Sequence, residues 1–337
     1  MKKVAAFTQG CLVPSTRFRI SQYEHKLRAC EIELVQFDAK VSAYPPAAKW
    51  QRPWWLLQEL IHRVSQLGKL KSYDVVILQR EMISTLATVE RFINKPIILD
   101  VDDAIFLRRN GRAARQLAQK AQHIVCGNQY LADYFRQYNA HITVIPTAVD
   151  TQRFLPSATK AETYIGWSGS SSGFHFLYAI EAALRSVLLL NPGWKLHIVA
   201  DKPPTFTVLE PEQVVFEKWS PETEVQSIQK MAIGIMPLDD SAWTKGKCSY
   251  KMLLYMACGL PVVVSDVGMN AQLLKEAEIG LGTRSDNDWI QHLQQLIDDA
   301  ELRNRFGIRG RQLVEEQYSL QYCTAKWLQV LDGEQFS

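Results

Sequence analysis

The sequence predicts an α/β protein made of two doubly wound domains, and three observations lead there. Short apolar runs rich in Val and Ile alternate with longer segments of helical period almost throughout. That alternation marks buried parallel sheets covered by helices. The pattern stops at IPTAVDTQRFLPSATKAE, a polar stretch with two prolines, and then begins again. Finally, 337 residues are long for one core and sufficient for two.

In the first half, strands are expected at KVAAFT, IELVQF, DVVILQ, PIILDV, HIVCG and ITVI. Helical patterns fill 17–29, 50–68, 83–93, 112–121 and 128–136 between them. In the second half, TYIGWS, WKLHIVA, QVVFEK, AIGIMP and LPVVVS read as strands. Helices are expected at 175–190, 221–231 and 249–258, then at 286–299, 300–316 and 319–331. The expected domains are 1–155 and 156–318, joined near 148–160. A closing segment, 319–337, is expected to pack back on the first domain. Open parallel sheets bind ligands beyond the carboxyl ends of their strands, so two such sheets facing each other predict a cleft.

Composition narrows the class. With 47% hydrophobic and 22% charged residues, the chain has the balance of a globular protein. No run approaches 18 apolar residues, so no transmembrane helix is expected. The opening MKKVAAFTQG has an apolar run too short for a signal peptide and reads as a first strand. The cysteines at 11, 30, 126, 248, 258 and 323 form no CxxC pair, which suits reduced thiols in a cytoplasmic protein. The net charge of +3 conceals an asymmetry: residues 1–160 carry 23 Lys and Arg against 13 Asp and Glu, and the remainder is acidic. Two halves of opposite charge suggest different partners.

Three loops of the second half suit an anion. GWSGSSSGF places Ser168, Gly169 and Ser170 in a turn between strand and helix, where small residues let backbone amides approach a phosphate. Lys245, Lys247 and Lys251 cluster at a helix start with Ser249 as its N-cap, although a helix dipole disfavours cations there. An anion among the lysines would resolve that conflict. The third loop, SDVGMN, sets Val267 and Gly268 just after a strand. Solvated lysines and an ordinary Ser-rich turn are the competing readings. Together the three loops point to a diphosphate.

KCSYKMLLYMACGLPVVVSDVG resembles the donor-site helix and following strand of family four glycosyltransferases, which have the GT-B fold. IVCGNQYLADYF with VIPTAVDTQRF, IGWSGSSSGFHFLYAI, IGIMPLDDSAW and ILDVDDAIF are similar to further segments of that family, in order. The resemblance implies a nucleotide-sugar donor such as a UDP- or GDP-sugar, retention of anomeric configuration, and neither a cofactor nor an obligatory metal. This sequence departs from the family where two glutamates usually stand eight positions apart. Leu254 occupies the second position and Gly246 the first, and the usual Arg and Lys of the glycine-rich loop are absent. Leucine cannot accept a hydrogen bond from the donor ribose, so that contact is weakened or reassigned, with Lys247 and Lys251 as substitute cations.

LDVDDAIF puts Asp100, Asp102 and Asp103 at a strand end. They either cap the next helix or, as the resemblance implies for Asp102 or Asp103, orient the acceptor hydroxyl and take its proton. Asp100 and Asp102 also have the D-x-D spacing of a metal site, but the fold that uses it lacks the repeated half seen here. QGCLVPSTRFRI offers Gly10, Arg17 and Arg19 to the donor phosphates or to an anionic acceptor, unless they are simply an exposed basic turn. Around the helix at 50–68, Trp50, Trp54 and Trp55 mix with Arg52, Arg63, Lys69 and Lys71, as in a helix lying on anionic lipid. Aromatics at helical spacing also suit a core. No nucleic-acid motif is recognisable. The reading is a cytoplasmic enzyme of glycan or glycoconjugate assembly, with a glycan or lipid-linked acceptor and peripheral membrane contact. Its alternatives are a non-catalytic sugar-nucleotide binder and a sugar-nucleotide epimerase.

Overall fold

The computed structural model describes residues 1–10, 13–40, 45–157 and 161–333. Cys11, part of the expected junction at 148–160 and the last residues of the closing segment lie outside the described residues. The chain forms two units. Unit 1 comprises Met1–Ala148, Gly246–Cys248 and Leu320–Ser337; unit 2 comprises Val149–Lys245 and Ser249–Ser319. The change of unit thus falls before the expected residue 155, and three residues from the expected donor helix start belong to unit 1.

Unit 1 has strands β1 (Lys2–Phe7), β2 (Ile32–Phe37), β3 (Val75–Gln79), β4 (Ile97–Val101), β5 (His123–Cys126) and β6 (Ile142–Val144). All pair parallel, in the order β2-β1-β3-β4-β5-β6. Every residue of β3, β4 and β5 is buried, as their apolar runs require, with Gln79, Asp100 and His123 as buried polar exceptions. The helix Leu320–Asp332 completes this core with Cys323, Trp327, Val330 and Leu331.

Unit 2 has strands β7 (Tyr164–Ser168), β8 (Lys195–Ala200), β9 (Val214–Lys218), β10 (Ile233–Met236), β11 (Val262–Ser265) and β12 (Gly280–Thr283). They are also parallel, ordered β12-β11-β10-β7-β8-β9. The edge strand β12 escapes the sequence pattern because GLGT has one bulky apolar residue. Gly280 is required there: a Cβ would sit 2.0 Å from the Val262 carbonyl oxygen. In each sheet the winding reverses at one point, between β1 and β3 in unit 1 and between β7 and β10 in unit 2. Loops leaving those strands are the favoured ligand positions.

Three helical expectations change, the simplest being 175–190, which divides at Ile180 into Phe174–Ala179 and Glu181–Leu190. The stretch 83–93 yields only the 3-10 turn Val89–Phe92, with Thr85 in the left-handed region at φ 66°. Its β-branched residues favour helix weakly. Buried Glu90 also takes hydrogen bonds from the Met82 amide (2.9 Å), the Thr88 amide and the Thr88 hydroxyl (3.2 Å), which fixes a turn. The pattern at 17–29 splits into Pro14–Arg19, Ser21–Tyr23 and Glu24–Arg28 around Ile20, at φ −124°.

The helix Arg52–Leu67 divides the tryptophan group. Trp55, Glu59, Arg63 and Gln66 are buried, whereas Trp50, Trp54, Leu57, Ile61 and Val64 are exposed. Trp55 and Arg63 are therefore core residues, a correction to their reading as a lipid-facing pair. Arg63 donates to the carbonyls of Phe37 (2.8 Å), Thr8 (2.8 Å) and Met82 (3.2 Å), and pairs with Glu59 at 3.1 Å. One guanidinium ties together the segments at the ends of β2, β1 and β3.

Candidate functional site

At the switch point of unit 2, the loop after β7 meets the helix Tyr250–Ala257. Tyr255 of that helix accepts a hydrogen bond from the Ser168 amide at 2.7 Å. One turn earlier, Lys251 lies over the Trp167 ring, 4.4 Å from its centre. A Cβ on Gly169 would come within 2.8 Å of the Lys251 Nζ, and one on Gly173 within 3.7 Å. Glycine at 169 is thus what lets the ammonium lie against the loop. The Gly169 amide donates to Val199 and the Ser171 amide and hydroxyl donate to Asp201, at 3.0, 2.6 and 2.8 Å. The cradle of amides expected at Ser168 and Gly169 is already engaged by the fold. What this loop offers an anion is Lys251 and the hydroxyls of Ser170 and Ser172, which lie 2.6 Å apart.

The neighbouring loops are sewn to one another. Ser249 has left-handed backbone (φ 46°) and makes no side-chain cap, a correction to the expected N-cap. Its hydroxyl donates instead to buried Asn270 at 2.7 Å. Asn270 donates to the Ser265 carbonyl at 3.2 Å, and the Ser265 hydroxyl accepts from the Leu238 amide at 2.9 Å. These bonds lock the ends of β10 and β11 to the start of the helix Gly268–Glu276. Gly268 has φ 53°, and a Cβ there would meet the Lys245 Cα at 3.0 Å. Val267 precedes that helix without a side-chain cap, and its first turn carries no acid.

The lysine cluster separates. Only Lys251 stands in the first turn of a helix. Lys245 closes the short helix Ala242–Lys245, at the end where a cation suits the dipole, and pairs with Asp240 at 2.9 Å. Lys247 belongs to unit 1. There its carbonyl accepts from Asn128 at 3.0 Å, and Cys248 donates to the Asp102 carbonyl at 3.3 Å. Gly246 has no room for a larger residue, since a Cβ would lie 2.7 Å from that of Ala104. Leu254 is 4% exposed and apolar, so it makes no polar ligand contact. A cavity of about 610 Å³ opens beyond β10, β11 and β12, lined by Val267, Asp239, Asp240, Asp266, Asp286 and Arg284 among others. Arg284 is paired with Asp266 at 2.8 Å, so the cavity is acidic and disfavours an anion.

In unit 1, Arg80 at φ 63° grips both catalytic candidates: its Nε reaches Asp102 at 2.7 Å and its terminal nitrogen reaches Asp103 at 2.6 Å. Burial raises the Asp103 carboxyl above its ordinary pKa, against the pull of Arg80 and, more weakly, Lys247. Asp100 and Arg19 form a fully buried pair, with Arg19 Nε 3.2 Å from the carboxylate and a further bond to the Ile145 carbonyl at 2.6 Å. Arg19 is therefore no phosphate ligand: its charge is consumed inside the sheet. Arg17 is half-buried against the Phe18 ring. Gly10, at φ 118°, follows the end of β1, where Gln9 donates to the Glu81 carbonyl at 2.6 Å.

Sequence reading missed Trp167, Tyr255, Asn270, Asp201 and Arg80. Tyr255 carried a usable signal: it lies four residues after Lys251 and so shares its helix face. Arg80 carried none, because its role depends on a left-handed backbone. Among the described residues, no three of His, Cys, Asp or Glu are grouped to hold a metal ion.

Comparison with known proteins gives the site a context. Residues 163–299, most of unit 2, match the family described as glycosyl transferases group 1. Comparison with curated proteins gives no match. Among solved structures, sucrose-phosphate synthase from Thermosynechococcus elongatus is similar at 14% identity and TM-score 0.74, over 98% of both chains. Anabaena Alr3699/HepE in complex with UDP-glucose is similar at 15% identity and TM-score 0.74, over 99% of this chain and 100% of that one. S. aureus MnaA with UDP is similar at 13% identity and TM-score 0.66, over 99% and 97%. The fold is that of the GT-B glycosyltransferase structures, two parallel six-stranded sheets covered by helices.

Proposed function

We propose that this chain transfers a sugar from a UDP- or GDP-linked donor to a glycan, glycolipid or other glycoconjugate, with retention of configuration and without an obligatory metal. The observation that carries the reading is Lys251 laid against the loop after β7, on a helix tied through Ser249 and Asn270 to the helix that starts at Gly268, inside the stretch that matches glycosyl transferases group 1. UDP and UDP-glucose in the similar structures favour the same donor class. As the bond from sugar to diphosphate breaks, negative charge grows on the departing phosphate. Lys251 and the amides at Gly268 stabilise it there.

On the acceptor side, Asp102 and Asp103 orient the attacking hydroxyl, held in place by Arg80. The raised pKa of Asp103 makes it the better proton acceptor of an ordinary carboxylate's kind. The enzyme works at a membrane face in glycoconjugate assembly. The exposed row Trp50, Trp54, Leu57, Ile61 and Val64 enters the lipid surface, and Lys49, Arg52, Lys69 and Lys71, all exposed, meet anionic headgroups.

Buried Leu254, where the family resemblance leads one to expect a ribose-binding glutamate, favours a second reading, a sugar-nucleotide binder without transfer. Incubation with UDP- and GDP-sugars and an acceptor extract, followed by product analysis, decides between them. Transfer requires a new glycosidic product, and retention requires that this product keep the donor's anomeric configuration. Donor recovered intact means binding alone, and donor recovered as its epimer means isomerisation.

A further inference from the structure

A second anion-suited region lies wholly within unit 1. The segments leaving β3 and β4 enclose a cavity of about 1000 Å³, whose lining includes Arg91, Arg109, Arg112, Arg115 and Lys120. The same wall includes one carboxylate, Glu90, which is buried and bound by the Met82 and Thr88 amides. Among the described residues, none of the five cations has a carboxylate within ion-pair distance. Five like charges on one concave wall repel one another unless an anion joins them.

Backbone geometry points to the same place. Thr85, Arg109, Asn110 and Gly111 all have φ between 46° and 68°, and all but Gly111, which begins the adjoining helix, line the cavity. Left-handed residues without glycine's freedom gather at ligand sites. The nine-residue helix Arg112–Lys120 starts there with no side-chain cap and no acid in its first turn. Instead, Arg112 and Arg115 stand in or beside that turn, where the dipole already disfavours a cation. Arg115 Nη1 is held by the Asn110 carbonyl at 2.6 Å and Arg109 Nε by Thr85 at 3.1 Å, which pre-orients both guanidinium groups. Guanidinium forks match phosphoryl oxygens in pairs.

The cavity's neighbour suggests which phosphate. The turn Val89–Phe92 gives Glu90 and Arg91 to the cavity and packs against the helix Arg52–Leu67, which carries the exposed apolar row. Phe92 of that turn is itself 58% exposed. We propose that this cavity binds the phosphoryl group of a lipid-linked acceptor, whose apolar tail lies toward the helix Arg52–Leu67. The proposal rests on the reading of unit 1 as the acceptor side.

Inorganic pyrophosphate, titrated calorimetrically at physiological salt, tests it. Three variants are compared: Arg112→Gln with Arg115→Gln, Lys251→Gln, and Lys195→Gln with Lys218→Gln, both exposed, as a charge control. The first should lose affinity for the unit 1 site by about tenfold or more, while the control should not change it. A UDP thermal shift preserved in the first variant shows that its fold and unit 2 are intact. Pyrophosphate binding unaffected by Arg112 and Arg115, or reduced equally by the charge control, overturns the proposal whether or not UDP binds. Competition then separates the sources of phosphate: a short-chain isoprenyl diphosphate should displace pyrophosphate at lower concentration than glucose 1-phosphate. The reverse order contradicts the lipid-linked assignment.

Discussion

The two switch points have the same topology and opposite chemistry. In unit 2 the ends of β7, β10 and β11 are joined by neutral bonds, Tyr255 to Ser168, Asn270 to Ser265 and Ser265 to Leu238, with Lys251 laid against the loop after β7, while charged groups, Asp201 and the pair Arg284–Asp266, tie in the flanking strands β8 and β12. In unit 1 the strand ends are joined by ions: Arg19 with Asp100, Arg63 with Glu59, and Arg80 with Asp102 and Asp103. Basic composition is therefore a poor guide to binding surface. Much of the positive charge at the heart of unit 1 holds the sheet together, while the cations of the cavity stand to one side of it.

The contrast is broken most forcefully at a fully buried ion pair. Arg19→Ala leaves Asp100 charged and unpaired within the sheet, and should cost about 3–5 kcal/mol in denaturant unfolding. Lys251→Ala should cost the fold little, because its site is held by neutral bonds. Equal losses for the two variants would erase the distinction.

Glu81, just beyond β3, sharpens the comparison through pH. Burial, with a smaller push from Glu90, raises its pKa from 4.5 to about 7. Between those values the folded state holds a proton that the unfolded state releases, so stability falls as pH rises through the window. Glu81→Gln removes that slope. The variant should gain up to about 3 kcal/mol over the parent at pH 8, and the gain should vanish below the unfolded pKa. A gain that does not change with pH would mean that the carboxyl ionises freely in the fold.

The order of charge and apolar surface along the first half was only partly legible. Eleven strands follow from their apolar runs, and in the central strands burial on both faces leaves a nearly continuous signal. The helix 50–68 is legible as an element, but not in its orientation. Adjacent Trp54 and Trp55 look alike in sequence and point oppositely in space, at 64% and 8% exposure. The same applies to cations at helix starts. The argument that singled out Lys251 applies equally to Arg112 and Arg115, yet the cavity went unread because its other wall comes from 85–91, read as helix. A turn held by the Glu90 carboxylate has no periodicity to detect. The ion pair of Arg19 with Asp100 joins residues 81 apart in sequence, a separation no local pattern spans.

That difference in orientation separates an effect on binding from an effect on stability. Trp54→Ser should reduce sedimentation with anionic vesicles at low salt while leaving stability nearly unchanged. Trp55→Ser should destabilise the fold by about 3 kcal/mol or more, as large-to-small core changes do, with vesicle binding retained in the folded fraction. Vesicle binding indifferent to Trp54 would remove the lipid surface as the partner of this helix.

The central claim is that the switch point of unit 2 holds a nucleoside diphosphate through its phosphates. Thermal unfolding with uridine or guanosine diphosphate, with the matching nucleoside, and in the Lys251→Ala variant tests it directly. A diphosphate at about 100 times its dissociation constant should stabilise the parent by about 2.7 kcal/mol. The nucleoside should do far less, since Leu254 offers its ribose nothing polar, and the variant should lose most of the diphosphate's effect. No shift with either diphosphate at millimolar concentration, or an equal shift from nucleoside alone, would contradict the account.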